Sequence, residues 1–271
     1  MTANPSRQPA IFLPHGGGPC FFMDWTWGPA DSWHATQRFL ESIASTLPNQ
    51  PKALLVISGH WEEPAFTAGT ASEPKLIYDY AGFPAHTYQL TWPAPGDPAL
   101  AARVAEILRS AGLPAATDAT RGYDHGVFVP LKVAFPEAQI PVVTLSLDQS
   151  LDPALHIAAG RALAPLRDEG VLIIGSGMSF HNLRGYFLPH TAERARAFDA
   201  WLTGAIESPA HERNALLAKW RSAPFATYAH PREEHLVPLM VAAGAGGEAP
   251  GQRIFTDEPM GAQISAYRFD G

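Results

Sequence analysis

Histidine beside glycine, or just after it, recurs where short apolar runs of this chain end. The stretches are Leu13-Pro14-His15-Gly16-Gly17-Gly18-Pro19, Ser58-Gly59-His60-Trp61-Glu62, and Gly175-Ser176-Gly177 followed by His181-Asn182. Asp124-His125-Gly126 is a fourth histidine in a comparable turn context. Imidazole changes charge near neutral pH and is the commonest metal ligand, so these positions suit proton transfer or metal binding. A lone histidine is more often a core or surface residue satisfied by a backbone carbonyl, but repetition at comparable strand ends weighs against coincidence. No pair is spaced i, i+4 as on a zincin helix, so a metal site here must be assembled across a sheet edge. Cys20 is the single cysteine against eleven histidines. That excludes an intrachain disulfide and a multi-cysteine cluster, and leaves nitrogen and oxygen as the available ligands.

Buried strands have to position these side chains. Val171-Leu172-Ile173-Ile174 is an apolar, largely β-branched run that reads as a strand covered on both faces. The glycines at 175 and 177 are read as a tight turn that presents His181. Ala10-Ile11-Phe12-Leu13 and Ala53-Leu54-Leu55-Val56-Ile57-Ser58 predict two more strands, and Pro141-Val142-Val143-Thr144-Leu145 a further one. Helices are expected over residues 32–47, 153–168 and 192–206, and over 97–112, where Asp97-Pro98 supplies a cap and first turn and Gly112 an end. Residues 228–239 read as a short helix opening near Pro231, and residues 254–255 and 264–269 as terminal strands. Strands alternate with helices and nothing resembles a linker. The expected architecture is therefore α/β: one domain spanning residues 1–271, a mostly parallel central sheet flanked by helices, and the site at the carboxyl ends of the strands.

The bulk composition narrows the partners. A hydrophobic fraction of 46% with 17% charged residues fits an ordered globular protein. A net charge of −7 argues against nucleic acid or anionic lipid and favours a small molecule. Residues 1–9 are polar without a signal-peptide core, and no later run is long enough to span a membrane, so a cytoplasmic location is expected.

Several rival readings fall on their residues. Gly16-Gly17-Gly18 lacks the Lys-Ser/Thr of a phosphate loop. Ser176 and Ser179 lack the nucleophile-elbow pattern of a hydrolase. Trp61 and Phe180 read as packing residues, Cys20 as a small buried thiol, and the aromatics of residues 78–84 as packing under a long loop. Asp124 either orients a histidine or starts a turn.

Taken in order, six motifs resemble the class III (LigB-like) extradiol ring-cleavage dioxygenases, and within them the 4,5-DOPA dioxygenase branch. Besides the four histidine stretches, with Val129-Pro130-Leu131 after Asp124-His125-Gly126, they include Tyr78-Asp79-Tyr80 with Gly82-Phe83-Pro84, and Glu234-His235-Leu236 with Pro238-Leu239. The resemblance covers residues 10–269. It implies a non-haem Fe(II), or Zn(II) in some members, held by His15, His60 and His235. It further implies that His181 is the acid/base and that His125 lines the substrate pocket. Glu233 and Glu234 stand beside His235 as rival third ligands, because a better-studied branch uses glutamate there. His86 departs from the pattern at a position where an acidic residue is expected.

The implied reaction is the opening of a catecholic, DOPA-like ring with O2. It needs three protein ligands on one face, leaving room for both catechol oxygens and O2, and a base near the second hydroxyl. Two alternatives remain at this point. One is a zinc-dependent hydrolase using the same histidines to activate water, and the other a non-enzymatic binding protein on the same fold.

Overall fold

The computed structural model describes residues 7–271; the reading of residues 1–9 as free of a signal peptide falls largely outside them. Its centre is an eight-stranded sheet in the order β4-β3-β5-β2-β6-β1-β8-β7. The first half of the chain supplies β1 (Ala10–Pro14), α1 (His34–Thr46), β2 (Ala53–Glu63), β3 (Phe66–Gly69) and α2 (Pro98–Ser110). It continues with β4 (Ala115–Asp118), α3 (His125–Ala134), β5 (Val142–Asp148) and α4 (Pro153–Leu163). Then follow β6 (Val171–Gly177), α5 (Thr191–Ile206), α6 (Ala210–Ala218), α7 (Ala226–Ala229), α8 (Val237–Ala245), β7 (Gln252–Asp257) and β8 (Ile264–Phe269).

The central pairings β5-β2, β2-β6 and β6-β1 are all parallel, while β8 joins β1 and β7 antiparallel. The sheet is thus mostly parallel at its core and mixed at its edges. Alternation along the central strands divides the interior in two. Phe12, Leu55, Ile57, Val143 and Ile173 face the layer built from α2, α4, α5 and α8. Ile11, Leu54, Val56, Leu172 and Ile174 face the layer of α1 and α3. Such strands are apolar on both faces, which is why their sequences read as continuous rather than alternating hydrophobic runs. Truncating a fully buried member such as Ile173 to Ala costs about 2–5 kcal/mol.

Local chemistry accounts for several boundaries. Asp97 caps α2 by accepting from the Leu100 amide at 2.9 Å, with Pro98 in the first turn. Asp152 and Pro153 start α4 in the same way. The α8 helix is apolar all round and buried along its whole length, as a helix enclosed between α4 and the sheet must be. Arg167, fully buried, donates to the carbonyls of Gln8, Ala245, Phe269 and Gly271 and so ties the entry of β1 to the exit of β8.

Three expectations need correction. His125 does not sit in a strand-end turn but is the first residue of α3. The helix expected from Pro231 begins only at Val237, so His235 lies in the connection before it. Gly175 and Gly177 belong to β6 itself and make no turn. They are required because the 235–238 backbone lies directly on them: a Cβ on Gly177 would come within 2.1 Å of the His235 carbonyl oxygen, and one on Gly175 within 2.4 Å of that of Pro238. The short strands β3 and β4 and the helix α6 have weak apolar patterns; the segment up to residue 96 reads only as ordered loops with a short antiparallel pair, whereas β3 there pairs with β4 in parallel.

Candidate metal centre and substrate pocket

The strand order β2-β6-β1 sets the carboxyl ends of these three strands side by side. His15 follows β1 at once. His60 lies in β2, where its pairing with β5 shifts register between Ile57 and Glu62. His235 comes from far along the chain, and its carbonyl accepts from the Met178 amide at 2.9 Å, just beyond β6. The missing Cβ of Gly177 makes that approach possible.

The three rings converge through Nε2. The His60 and His15 Nε2 atoms are 3.3 Å apart, and those of His235 and His60 3.1 Å. Their Nδ1 atoms decide the tautomers. His15 Nδ1 donates to the Gly16 carbonyl at 2.8 Å, and His235 Nδ1 to Glu234 Oε1 at 2.9 Å. His60 Nδ1 lies 3.5 Å from Asp79 Oδ2. With the protons on Nδ1, three bare lone pairs point at one spot, an arrangement that repels unless a cation sits among them. Burial, with neighbouring histidines, holds His15 and His235 well below the ordinary imidazole range, and burial with His125 does the same to His60. All three rings are therefore neutral, each with a lone pair to offer. Metal–nitrogen bonds of about 2.0–2.1 Å set ligand nitrogens roughly 3 Å apart, so the donor set fits a non-haem metal. Glu233 turns away to pair with Arg221 at 2.7 Å, and Glu234 uses its carboxylate on His235, so neither acid brings its oxygen into this trio.

His125 and His181 flank the trio. Asp79 Oδ1 accepts from both the backbone amide and Nδ1 of His125, each at 2.8 Å. Burial raises the Asp79 carboxyl, but the His125 hydrogen bonds and nearby histidines outweigh it and bring the carboxyl to about 2. The His181 ring stacks on His235 with centroids 3.4 Å apart, and its Nδ1 is 3.4 Å from Glu234 Oε1. His15, His60, His125 and His181 all open on one cavity of about 350 Å³, whose walls include Trp27 and Phe83.

Other candidates separate clearly. Asp124 precedes α3, accepts from Ser58 at 2.7 Å and pairs with Arg121 at 2.6 Å, so it starts a turn and orients no histidine. The carboxylate on His125 is instead Asp79, and a role for it was missed although Tyr78-Asp79-Tyr80 stood out as a motif. Glu234, in sequence a rival ligand, instead faces the Nδ1 atoms of His235 and His181. Tyr80 and Phe83, taken as packing under a loop, also line the cavity. Trp61, Phe180 and Cys20 are buried packing residues. His86 is exposed, with its Nε2 3.0 Å from the Phe22 carbonyl and its ring outside the cavity wall. Ser179 accepts from the Ser265 amide at 2.7 Å and Ser176 donates to the Gly126 carbonyl, so both hydroxyls are engaged in structure.

The family model described as the catalytic LigB subunit of aromatic ring-opening dioxygenase matches residues 9–269. The chain belongs to this family. It is similar to a "4,5-DOPA dioxygenase extradiol" of Beta vulgaris, at 44% identity over 92% of this chain and 90% of the relative. A dioxygenase named tasH of Hapsidospora irregularis is 38% identical over 97% of this chain and 86% of its own. An Escherichia coli "4,5-DOPA dioxygenase extradiol" is 35% identical, covering 90% and 88%. The crystal structure of an uncharacterized Escherichia coli K12 protein superposes with a TM-score of 0.78 at 30% identity, over 97% of this chain and all of that one. This LigB-family chain is a non-haem, metal-dependent extradiol dioxygenase of the 4,5-DOPA branch, acting on a catechol-like substrate with O2. No helix among the described residues is long and apolar enough to cross a membrane.

Proposed function

We propose that His15, His60 and His235 hold the metal, Fe(II) in the working enzyme, and that His181 and His125 serve the catechol beside it. The observation that carries this reading is the convergence of three Nε2 lone pairs whose tautomers are set by Nδ1 partners. When bound, Fe(II) supplies a positive charge that acidifies the diol and a centre at which O2 and the ring meet. The chain's own residues do the rest. His181, its Nδ1 turned to Glu234, keeps Nε2 free to take the proton of the second hydroxyl and later return it. His125 is locked by Asp79, lies against the His60 ring with centroids 3.9 Å apart, and borders the same cavity. The apolar cavity keeps bulk water away from the reacting ring.

The relatives named for 4,5-DOPA support a DOPA-like ring, a catechol with one further substituent. Residues 1–271 act as one catalytic domain in this reading, since β1 and β8 from opposite ends of the chain pair in the same sheet. A cytoplasmic location suits a ferrous centre and the buried free Cys20. Metal content of purified variants tests the assignment. His15→Ala, His60→Ala and His235→Ala should each lose the metal, whereas His181→Ala and His125→Ala should keep it and lose turnover. A His181→Ala variant that loses its metal would make His181 a ligand instead.

A further inference from the structure

We propose that the cavity selects a catechol whose ring substituent is uncharged and apolar, an alkyl or aryl group, in place of an amino-acid side chain. The inference rests on the ring-opening reading and adds the substituent class to it. A cavity of about 150 Å³ already holds a benzene ring. The 350 Å³ here leaves space for a group beyond the catechol ring. Its four histidines, His15, His60, His125 and His181, are gathered at one end to meet the diol. Along the remaining wall stand Trp27, Phe83, Leu183, Tyr186 and Met260, with no Lys, Arg, Asp or Glu among the lining residues.

The polar side-chain groups of that wall, on Trp33, Tyr80 and Tyr186, are all neutral. The Tyr80 hydroxyl donates to the Thr87 carbonyl at 2.7 Å and is already engaged. The Trp33 indole N–H is buried without a partner, but one neutral donor does not offset the desolvation of a carboxylate or an ammonium. The rim continues the same character: Trp27 is 50% and Leu183 71% exposed, and Trp27 lies against Phe83 with centroids 5.1 Å apart. Exposed large apolar residues around a cavity mouth mark a surface that an apolar ligand covers. The nearby charges Asp31, Arg38, Asp257 and Glu258 line a separate depression that shares Met260, and Arg184, exposed next to Leu183, does not line the cavity.

A matched set of catechols tests this: 4-propylcatechol, 3-(3,4-dihydroxyphenyl)propionate, dopamine and L-DOPA. Binding to the Zn(II)-loaded protein is read from quenching of tryptophan fluorescence, since Trp27 and Trp33 line the cavity. Turnover of the set is read on the Fe(II) enzyme. The expected result is that 4-propylcatechol binds at least fivefold more tightly than every charged member and has the highest kcat/KM. Any charged member within fivefold of it overturns the inference. Leu183→Ala should weaken 4-propylcatechol several-fold and by more than it weakens unsubstituted catechol; equal effects on both contradict the role of the wall. Arg184→Ala should leave the propionate affinity unchanged, and a loss would mean that a rim cation reads charge, against the inference. If no catechol binds or opens, the ring-cleavage reading fails as well. If catechols open but L-DOPA is preferred, only the substituent class fails.

Discussion

The His181 and His235 rings stack at 3.4 Å with an interplanar angle of 17°, and both turn Nδ1 toward the same oxygen of Glu234. One carboxylate thus orients a ring assigned to the metal and a ring assigned to the proton. Partners of this kind fix tautomer and raise ligand basicity, and their loss typically costs 10–100-fold in affinity or activity. Glu234→Gln should therefore weaken metal binding by about 10–100-fold, read by competition with a chelator, and lower kcat as well. Unchanged affinity and kcat would show that the carboxylate is dispensable.

Asp79 makes the complementary case on the other side of the trio. It grips His125 through two hydrogen bonds to one oxygen and lies farther, at 3.5 Å, from His60. Asp79→Asn should lower kcat by roughly 10–100-fold while most of the metal is retained. Loss of metal with kcat per bound metal preserved would place its main role at His60.

The fit between β6 and the 235–238 segment predicts a steric effect. Gly177→Ala drives a methyl group against the His235 carbonyl. Overpacking of this kind costs about 1–3 kcal/mol, and here it also shifts a ring proposed to hold the metal. Urea unfolding should show the loss, accompanied by reduced metal content. A variant with native stability and full metal would contradict the contact.

His230 predicts how stability depends on pH. It is fully buried, with Nε2 donating to the Ser179 carbonyl at 2.9 Å, and burial lowers it to about 3. The unfolded chain takes up this proton below about pH 6.5, whereas the folded chain does not. Its contribution is complete above that value and is lost as pH falls toward 3, at about 1.4 kcal/mol per pH unit. Denaturant unfolding across about pH 7 to 5 should show stability falling with acidity, with a slope shallower by about one proton in His230→Gln. Identical slopes would contradict the depressed value.

Much of the fold was legible because the central strands are covered on both faces and carry uninterrupted apolar runs. The capped helix at Asp97 announced itself through side-chain chemistry that needs no tertiary context. The histidines at residues 15, 60, 181 and 235 were visible as residues, and the family resemblance supplied their grouping. What sequence reasoning missed depends on contacts between distant segments. Gly177 looks like a turn residue until the 235–238 backbone is laid on it. Asp79 lies 46 residues before His125, and no local pattern links them, whereas the adjacent Asp124 invited the wrong pairing. The weak strand β3 exists because β5 offers an edge, and β4 because β3 then offers the next, not because their own residues demand it.

Oxygen consumption tests the central claim most directly. The metal-free protein is reconstituted anaerobically with Fe(II), supplied with a panel of catechols including DOPA, protocatechuate and 4-propylcatechol, and followed with an oxygen electrode alongside the coloured ring-opened product. The account predicts one O2 consumed per ring opened with at least one catechol, and none for the His181→Ala variant. Absence of O2 uptake with every diol, or product formed without O2, would contradict it.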